Sequence, residues 1–375
     1  MLFDQIIDRS STYAFKWKKY EGQNILPMWI ADTEFKCPQP ILDALHQRVE
    51  HGLLGYTLPA HHKSANQAVV NWLAKQYGWQ IKAEWIVWTP GVVPAFNVAC
   101  KALCQPGDKV MIQTPNYPPL LAAPKINGLS RVDIGTVEQN GRWTLDFAEL
   151  EIQAADPLCK LFIICNPMNP VGSVLTAAEL KRIADICVKY NVTLCSDEIH
   201  CDLILDEQAK HLPAGKLEQF KGQVITLMAA SKTFNIAGLG TSFAIIEDTK
   251  LRQQFSAAAQ GIVPWDNVMG LSATEAAFTL CDDWHQQLLT YLRNNRDYLL
   301  SEISHIDGLR MLSPQATFLA WIDGSGLGVD SVQKYFEAKG LGPSPGADFG
   351  DSRFARINFG CPLSQLKDAM ALLKK

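Results

Sequence analysis

Residues 224–240, VITLMAASKTFNIAGLG, contain the pattern that decides the fold class of this chain. The run Val224–Met228 is short and almost continuously apolar, which is typical of a strand buried on both faces of a sheet. Lys232 follows the run by four residues, between Ser231 and Thr233, and two glycines come after it. The stretch therefore raises the question of whether Lys232 is an ordinary solvated lysine or one held for chemistry.

The same strand pattern recurs on the N-terminal side of this stretch. Short β-rich runs alternate with helical segments such as Ala177–Tyr190, in which apolar residues recur at helical spacing. This alternation indicates an α/β fold with a mostly parallel central sheet covered by helices on both faces. The predicted strands are Trp85–Trp88, Lys109–Gln113, Arg131–Ile134, Leu161–Cys165, Thr193–Ser196, Val224–Met228 and Ser242–Ile246.

The rest of the chain predicts a second, smaller α+β domain. A long amphipathic pattern without proline runs from about Leu271 to Ile306 and is predicted to form a long helix that joins the two domains. The N-terminal stretch PMWIADTEF is too apolar for a free tail. We predict a large domain over residues 40–270 and a small domain built from residues 1–39 and 271–375.

Composition and charge exclude several classes of function. The 375 residues are 47% apolar and carry a formal net charge of −4 without a basic stripe, so we expect no nucleic-acid partner. The start MLFDQIIDRS shows no secretory signal, and the apolar runs are too short to span a membrane, which predicts a cytoplasmic protein. The ten cysteines form no CxxC pair and no zinc-spaced cluster, so we expect buried, reduced thiols and no metal.

Chemistry-bearing residues follow the strands, at the sheet edge where parallel α/β folds bind ligands. In PGVVPAFN, a glycine turn before a helix offers the N–H groups of Val92 and Val93 to an anion. TPNYPPL presents Tyr117 among prolines. In CNPMNPVG, Asn166 and Asn169 are each restricted to extended conformations by the proline that follows.

The next two strands add an acid and the lysine. In SDEIH, Asp197 follows an apolar strand and needs a cationic partner, and His200 can join it only if the chain leaves the strand near Ile199. Lys232 lies 35 residues beyond Asp197, at the end of the next strand. Taken singly, each of these residues has an ordinary structural explanation. Together they match pyridoxal phosphate, which needs a Schiff-base lysine, an acid for its pyridine nitrogen and a phosphate site.

The ordered motifs PGVVPAFN, TPNYPPL, CNPMNPVG, SDEIH, SKTFNIAGL and RINFGCP resemble those of fold-type I pyridoxal-phosphate enzymes of the class I/II aminotransferase superfamily. More narrowly, the chain resembles the MalY/PatB-type cystathionine β-lyase (C–S lyase) subgroup nearly from end to end. The resemblance implies the aspartate aminotransferase fold, pyridoxal 5′-phosphate as cofactor, and a homodimer whose active sites are shared across the interface.

The resemblance also implies roles for single residues. Lys232 would be the Schiff-base lysine and the general base, Asp197 would hold the pyridine nitrogen, and Arg356 would grip the substrate α-carboxylate. The remaining residues that it places at cofactor or substrate are Asn169 and His200 near the ring oxygen, Tyr117 on the ring, Val92, Val93 and Ser231 at the phosphate, Ala31 and Asn169 at the substrate, and Tyr56 at the neighbouring subunit's phosphate.

Four positions depart from common motifs of these enzymes. Met168 replaces the histidine of CNPHNP, where we expect little consequence. Thr33 and Glu34 stand in ADTEF where ADMDF is common, near the expected substrate entrance, which leaves substrate preference open. His200 stands where many aminotransferases carry a tyrosine, which favours the lyase-like subgroup.

The leading predicted function is β-elimination from an S-substituted cysteine, giving thiol, pyruvate and ammonia. An aminotransferase shares every step up to removal of the Cα proton, and the fold and cofactor residues do not separate the two reactions. A regulatory role in protein binding on the same scaffold is a third alternative. The sequence names neither the thioether nor a protein partner.

Overall fold

The computed structural model describes residues 2–220 and 222–374, in which fourteen strands and twelve α-helices are found. The strands are β1 Leu26–Pro27, β2 Ile86–Thr89, β3 Lys109–Thr114, β4 Ser130–Gln139, β5 Arg142–Leu145, β6 Cys159–Cys165, β7 Thr193–Asp197, β8 Val224–Met228, β9 Ser242–Ile245, β10 Arg310–Met311, β11 Leu319–Asp323, β12 Leu341–Gly342, β13 Ser344–Pro345 and β14 Phe354–Asn358. The helices are α1 Phe15–Lys18, α2 Gln39–His51, α3 Lys63–Tyr77, α4 Val92–Leu103, α5 Pro118–Ile126, α6 Phe147–Ala154, α7 Ala177–Lys189, α8 Thr249–Ala259, α9 Val268–Leu280, α10 Asp282–Ile303, α11 Val332–Ala338 and α12 Leu363–Leu373.

An eight-stranded sheet forms the centre of the molecule, in the order β2-β9-β8-β7-β6-β3-β4-β5. The five strands from β8 to β4 are parallel, whereas β9 and β5 run antiparallel to their neighbours. Successive residues of β6 face opposite layers: Ile163 packs in the core with Phe96 of α4, and Phe162 packs with Ile183 of α7. The predicted mostly parallel sheet with helices on both faces is therefore confirmed.

The edge strand β5 was not predicted from the sequence. It forms a hairpin with the long strand β4 through Asn140 and Gly141, whose φ angles are 53° and 73°. Positive φ at both turn residues is the geometry of the tight hairpin turn that Asn-Gly favours. The Asn-Gly pair was thus the sequence signal for this strand, and the polar, half-exposed character of β4 hid it.

The prediction of one long helix over Leu271–Ile306 is wrong, because the structure contains two helices there, α9 and α10. Cys281 separates them with φ −115° and ψ 20°, outside helical geometry. Asp282 and Asp283 occupy the first turn of α10, where acidic side chains stabilise a helix start. Helix α9 packs on α2 and α3. The division of the chain at residues 39/40 and 270/271 stays a prediction.

A smaller antiparallel sheet, in the order β10-β11-β14-β13, lies in the C-terminal part. The N-terminal arm joins this part because β1 pairs in parallel with β12, Leu26 opposite Leu341. Asn358, at the end of β14, donates to the carbonyl oxygens of Ile30 and Asp32, both at 2.6 Å. The arm is thereby carried past the carboxyl ends of the central strands. Within the described ranges, no helix is both long and apolar enough to cross a membrane.

Candidate active site

A cavity of about 580 Å³ lies where the central strands end and meet the arm and the smaller sheet. A larger cleft of about 850 Å³ contains none of the predicted site residues. The predicted residues that line the 580 Å³ cavity are Ala31, Val92, Val93, Tyr117, Asn169, His200, Ser231, Lys232 and Arg356. The structure therefore brings nine of the predicted residues to one place.

Lys232 extends from the turn after β8 into this cavity. Its Nζ donates a hydrogen bond to the carbonyl oxygen of Ala31 at 2.7 Å. Burial lowers the pKa of the Lys232 amine to about 8; the charge of Asp32 opposes this change and that of Arg356 adds to it. Such an amine is partly neutral near neutral pH, as a nucleophile must be. This environment is consistent with a reactive lysine, and the chemical role of Lys232 stays a prediction.

Asp197 ends β7 and is completely buried beside the cavity. Its Oδ2 accepts from the hydroxyl of Tyr117 at 2.5 Å, and its Oδ1 accepts from the N–H of Ile199 at 3.2 Å. Burial raises the pKa of the Asp197 carboxyl to about 6, and the Tyr117 bond acts in the opposite direction. Among the described residues, no side chain forms an ion pair with Asp197. A buried carboxylate in this state favours a cationic partner.

His200 reaches the same cavity because the chain leaves the strand in time. Strand β7 ends at Asp197, so Ile199 already lies outside it, as convergence of Asp197 and His200 requires. His200 is buried, and its Nδ1 has no hydrogen-bond partner among the described residues. Burial holds the pKa of the His200 imidazole well below its usual range, with Lys232 and Arg356 acting in the same direction. The ring is therefore neutral at physiological pH.

Arg356 projects from β14 and is buried. Its Nη1 donates to Asn169 Oδ1 at 2.8 Å, and its Nη2 donates to the carbonyl oxygen of Trp29 at 2.7 Å and to Ser344 Oγ at 3.1 Å. Its Nε has no partner among the described residues. Burial lowers the pKa of the Arg356 guanidinium. A desolvated guanidinium with neutral partners is well suited to bind a carboxylate.

The N-terminal end of helix α4 is a further feature of the cavity that can bind a charged group. Helix α4 begins at Val92, directly after the glycine turn, and no side chain caps it. The first N–H groups of a helix have no partner inside the helix, so those of Val92 and Val93 are available to an anion. Ser231 lines the cavity with them and is buried.

Tyr56 is the predicted residue that the protomer does not bring to the cavity. It is 97% exposed, and its ring contacts that of Trp265 at a centroid distance of 5.8 Å. If Tyr56 completes the active site of a second subunit, it is expected to lie away from the cavity of its own chain. The sequence-based role of Tyr56 therefore stays a prediction.

Thr33 and Glu34 do not line the cavity, and their expected influence on substrate preference stays a prediction. Both are buried, and Glu34 forms ion pairs with Lys16 at 2.8 Å and Arg9 at 3.1 Å. These partners lie earlier in the arm, so the ion pairs of Glu34 hold the arm together. Met168 packs in the core of the large sheet, consistent with a structural position between the two asparagines.

Several cavity residues were missed by sequence reasoning: Phe15, Lys19, Trp29, Asp348 and Phe349. Trp29 stands in PMWIADTEF, and the apolar character of that stretch was the only signal for it. Lys19 and Asp348 stand in ordinary polar surroundings in the sequence. Only the packing of the arm against the smaller sheet brings these two residues together.

Comparison with known proteins gives consistent relatives. The family model for aminotransferase class I and II matches residues 30–373. The chain is 35% identical to cystathionine β-lyase PatB of Bacillus subtilis (strain 168), with 100% of this chain and 99% of PatB covered. The crystal structure of OvoB superimposes with a TM-score of 0.96 at 40% identity, covering 100% of this chain and 98% of OvoB. Cystalysin from Treponema denticola, whose crystal structure contains pyridoxal 5′-phosphate, gives a TM-score of 0.93 at 31% identity over 99% of this chain and 97% of cystalysin.

The cavity fits pyridoxal phosphate on its own features. The uncapped start of α4 suits a phosphate. Buried Asp197 without an ion-pair partner suits a protonated pyridine nitrogen, and Lys232 supplies an amine of lowered pKa. Because the family match spans most of the chain and the residues present fit the cofactor, this protein belongs to the class I and II aminotransferase family of pyridoxal-phosphate enzymes, in the C–S lyase subgroup that includes PatB.

Proposed function

We propose that this protein is a carbon–sulfur lyase that cleaves S-substituted cysteines by β-elimination, giving thiol, pyruvate and ammonia. The observation that carries the proposal is the placement of Lys232 and Arg356 on one cavity, an amine of lowered pKa facing a carboxylate-binding guanidinium. The full-length similarity to a cystathionine β-lyase supports this reaction over others of the same family.

The residues that would hold the cofactor follow from the cavity. Lys232 would attach it through Nζ, Asp197 would pair with its pyridine nitrogen, and Tyr117 would lie on its ring. The polar contacts to its oxygens would come from Asn169, His200, Ser231 and the N–H groups of Val92 and Val93. When bound, pyridoxal phosphate supplies a sink for the electron pair that deprotonation leaves at the substrate Cα.

Arg356 would bind and orient the substrate. A substrate carboxylate can accept from the guanidinium in two parallel bonds, one of which would replace the bond to Asn169 Oδ1. The carbonyl oxygen of Trp29 holds the other side of the guanidinium at 2.7 Å and fixes its plane. This orientation presents the Cα–H bond of the substrate to the interior of the cavity, where Ala31 and Asn169 also line the wall.

Lys232 would move the proton. With cofactor and substrate bound, its Nζ would take the proton from the substrate Cα, and a pKa of about 8 suits a general base at neutral pH. The Cβ–S bond then breaks, and its electron pair leaves with the sulfur as thiolate. His200 is neutral and places no positive charge beside Lys232. It therefore does not lower the pKa of the Lys232 amine further.

We further propose that the protein is a cytoplasmic homodimer without a nucleic-acid partner. Exposed apolar side chains lie next to one another on one surface, here termed the apolar patch: Leu54, Tyr56 and Trp265. An apolar surface of this kind is typical of a protein interface, and a second copy of the chain would cover it. The ten free cysteines and the net charge of −4 support a reducing compartment and argue against nucleic acid.

The decisive experiment separates elimination from transamination. The protein loaded with pyridoxal phosphate is incubated with cystathionine, and pyruvate and free thiol are measured with and without an added 2-oxo acid. We expect equal amounts of pyruvate and thiol, independent of the 2-oxo acid, and no product with Lys232→Ala. Turnover that requires the 2-oxo acid and releases no thiol would instead identify an aminotransferase.

A further inference from the structure

The imidazole of His200 is oriented at the cavity by packing on a neighbouring ring. Its Nδ1 has no hydrogen-bond partner among the described residues. The ring of Phe318 lies against the imidazole instead, at a centroid distance of 6.1 Å and an interplanar angle of 78°. Because His200 is proposed to contact an oxygen of the cofactor, the direction in which its ring points matters for the reaction.

Phe318 is itself held in a narrow space. Its side chain is completely buried. A Cβ atom on Gly360 would lie only 3.2 Å from Cγ of Phe318, so the backbone of Gly360 packs directly on the base of the ring. The carbonyl oxygen of Phe318 accepts from the N–H of Phe359 at 2.9 Å. The ring therefore offers His200 a fixed surface.

Thr317 precedes Phe318 and has an unusual backbone conformation. Its φ angle is 74°, in the left-handed region that a β-branched residue rarely adopts. The other non-glycine residues with positive φ in the described part of the chain are one tyrosine and three asparagines, and asparagine tolerates this region. Strained backbone of this kind persists only where its surroundings hold it, and it is concentrated at functional sites.

The surroundings of Thr317 include the turn that carries His200. The N–H of Thr317 donates to the carbonyl oxygen of Leu203 at 2.9 Å, and the N–H of Leu203 donates to the carbonyl oxygen of His200 at 3.0 Å. The hydroxyl Oγ1 of Thr317 accepts from the N–H of Leu319 at 3.1 Å, which holds the start of β11. Leu203 thus joins the backbone of Thr317 to that of His200.

We propose that Thr317 and Phe318 are positioning residues for His200: the left-handed backbone of Thr317 directs the ring of Phe318 onto the imidazole, and this contact keeps the imidazole aimed into the cavity. Neither residue lines the cavity, so both act through His200. The inference rests on the proposed function, in which His200 contacts the cofactor.

The test is to follow the protonation of His200 directly, in the protein loaded with pyridoxal phosphate. Imidazole nitrogen NMR on protein with ¹⁵N-labelled histidines gives its pKa, and His200→Gln identifies its signals. We expect the wild-type pKa to lie well below the ordinary value of about 6.5, because burial disfavours the imidazolium. The charges of Lys232 and Arg356 act in the same direction and are present in every variant compared.

Phe318→Leu removes the ring and lets water approach the imidazole. The pKa of His200 should therefore rise toward its ordinary value. With cystathionine as substrate, kcat should fall by roughly tenfold and KM should change less, because the carboxylate site at Arg356 is retained. If Phe318→Leu does not fold, Phe318→Met fills more of the space without a ring and takes its place.

Two variants of Thr317 separate its backbone conformation from its chemistry. Thr317→Asn tolerates the left-handed region and keeps a side-chain acceptor, so the pKa of His200 and kcat should stay close to those of the wild type. Thr317→Gly frees the backbone and loses Oγ1, so the pKa of His200 should rise part of the way and kcat should fall. A Thr317→Gly protein with both values unchanged would remove Thr317 from this role.

Phe336→Leu is the matched control, since Phe336 is a completely buried phenylalanine of α11 that does not line the cavity. It should leave the pKa of His200 unchanged. An equal rise in Phe336→Leu and Phe318→Leu would assign the effect to general loosening of the core and overturn the proposal, as would an unchanged pKa in Phe318→Leu. If the wild type does not cleave cystathionine, the lyase function fails, and the NMR titration alone decides the positioning of His200.

Discussion

At the scale of single residues, the environment of Lys232 distinguishes it from an ordinary lysine at a strand end. The chain surrounds it with one accepting carbonyl, the nearby charge of Asp32 and the opposing charge of Arg356. Burial is the largest influence and disfavours the ammonium form. The reactivity of this amine is therefore set by the arm as much as by the strand that carries it.

The rate at which cofactor-free protein attaches pyridoxal phosphate should follow the pKa of Lys232. We expect the rate to rise with pH through a midpoint near 8, instead of the value of about 10.4 of an ordinary lysine. Asp32→Asn should lower the midpoint, because the negative charge of Asp32 raises the pKa of Lys232. Stopped-flow absorbance measures the rate, and Asp8→Asn, an exposed carboxylate of the same arm, is the control. A higher midpoint in Asp32→Asn would contradict this electrostatic account.

Substitution of Asp197 should mainly lower kcat, whereas substitution of Arg356 should mainly raise KM. Asp197→Ala should lower kcat by at least about 100-fold, because the partner that keeps the pyridine nitrogen protonated is lost. Arg356→Lys keeps one charge for the carboxylate and should raise KM by roughly tenfold, with a smaller loss in kcat from misorientation. Steady-state kinetics on cystathionine test both variants. A near-normal kcat for Asp197→Ala would remove Asp197 from the proposed role.

The cavity residues that follow the central strands could be predicted from sequence, whereas Lys19 and Asp348 could not. Asp197, Asn169 and Lys232 each follow a predicted strand of one parallel sheet, and the parallel order places such strand ends together. Lys19 and Asp348 are 329 residues apart in the chain and meet only through the docking of the arm on the smaller sheet. The hydrogen bond from Tyr117 to Asp197 was also not foreseen, because Tyr117 follows β3 and its side chain reaches past β6 to the end of β7.

At the scale of elements, the N-terminal arm is fixed by a buried lysine. Lys16 is 2% exposed and forms ion pairs with Asp32 at 2.9 Å and Glu34 at 2.8 Å. On the other side, Asn235 donates to the carbonyl oxygens of Thr33 and Phe35. Asn235 lies three residues after Lys232, so the arm is attached directly to the turn that carries the reactive amine.

Loss of the buried cation should destabilise the arm strongly. Lys16→Met leaves Asp32 and Glu34 with Arg9 as their remaining cationic partner, and removal of one member of a buried ion pair costs about 3–5 kcal/mol of unfolding free energy. Exposed Lys18→Met should change it by less than about 0.5 kcal/mol. Urea unfolding followed by tryptophan fluorescence compares the two. Similar midpoints for both variants would show that the Lys16 ion pairs do not hold the arm.

Strands buried in the sheet were easier to predict from the sequence than the strand at its edge. Strands such as β6 and β8 are buried along almost their whole length and are mostly apolar because helices cover both faces, so their sequences indicate strands. Strand β5 lies at the edge of the sheet and alternates less clearly. The break at Cys281 interrupts an otherwise continuous helical pattern, and one residue outside helical geometry leaves no trace in such a pattern.

At the scale of the whole molecule, the apolar patch and the exposed position of Tyr56 support a site completed by a second copy. If Tyr56 reaches the partner's site, then Lys232→Ala and Tyr56→Ala protomers are each inactive alone and complement one another when mixed. A mixed dimer would contain one site with both residues intact and one site lacking both. Activity after subunit exchange should recover toward one quarter of the wild-type value for random mixing, since half of the dimers are mixed and each has one intact site. If sedimentation verifies that subunits have exchanged and activity does not recover, Tyr56 acts within its own protomer.

The burial of the thiols has a consequence for an enzyme that releases thiols. Nine of the ten cysteines are buried and Cys37 is half-buried, and burial raises the pKa of every one. Disulfide exchange needs a thiolate that an attacking disulfide can reach, and these side chains offer neither the charge nor the access. Oxidised forms of the released thiol should therefore not cap the protein as mixed disulfides. Burial of the cysteines therefore protects the enzyme from the thiols that it releases, and repeated turnover should leave its cysteines unmodified.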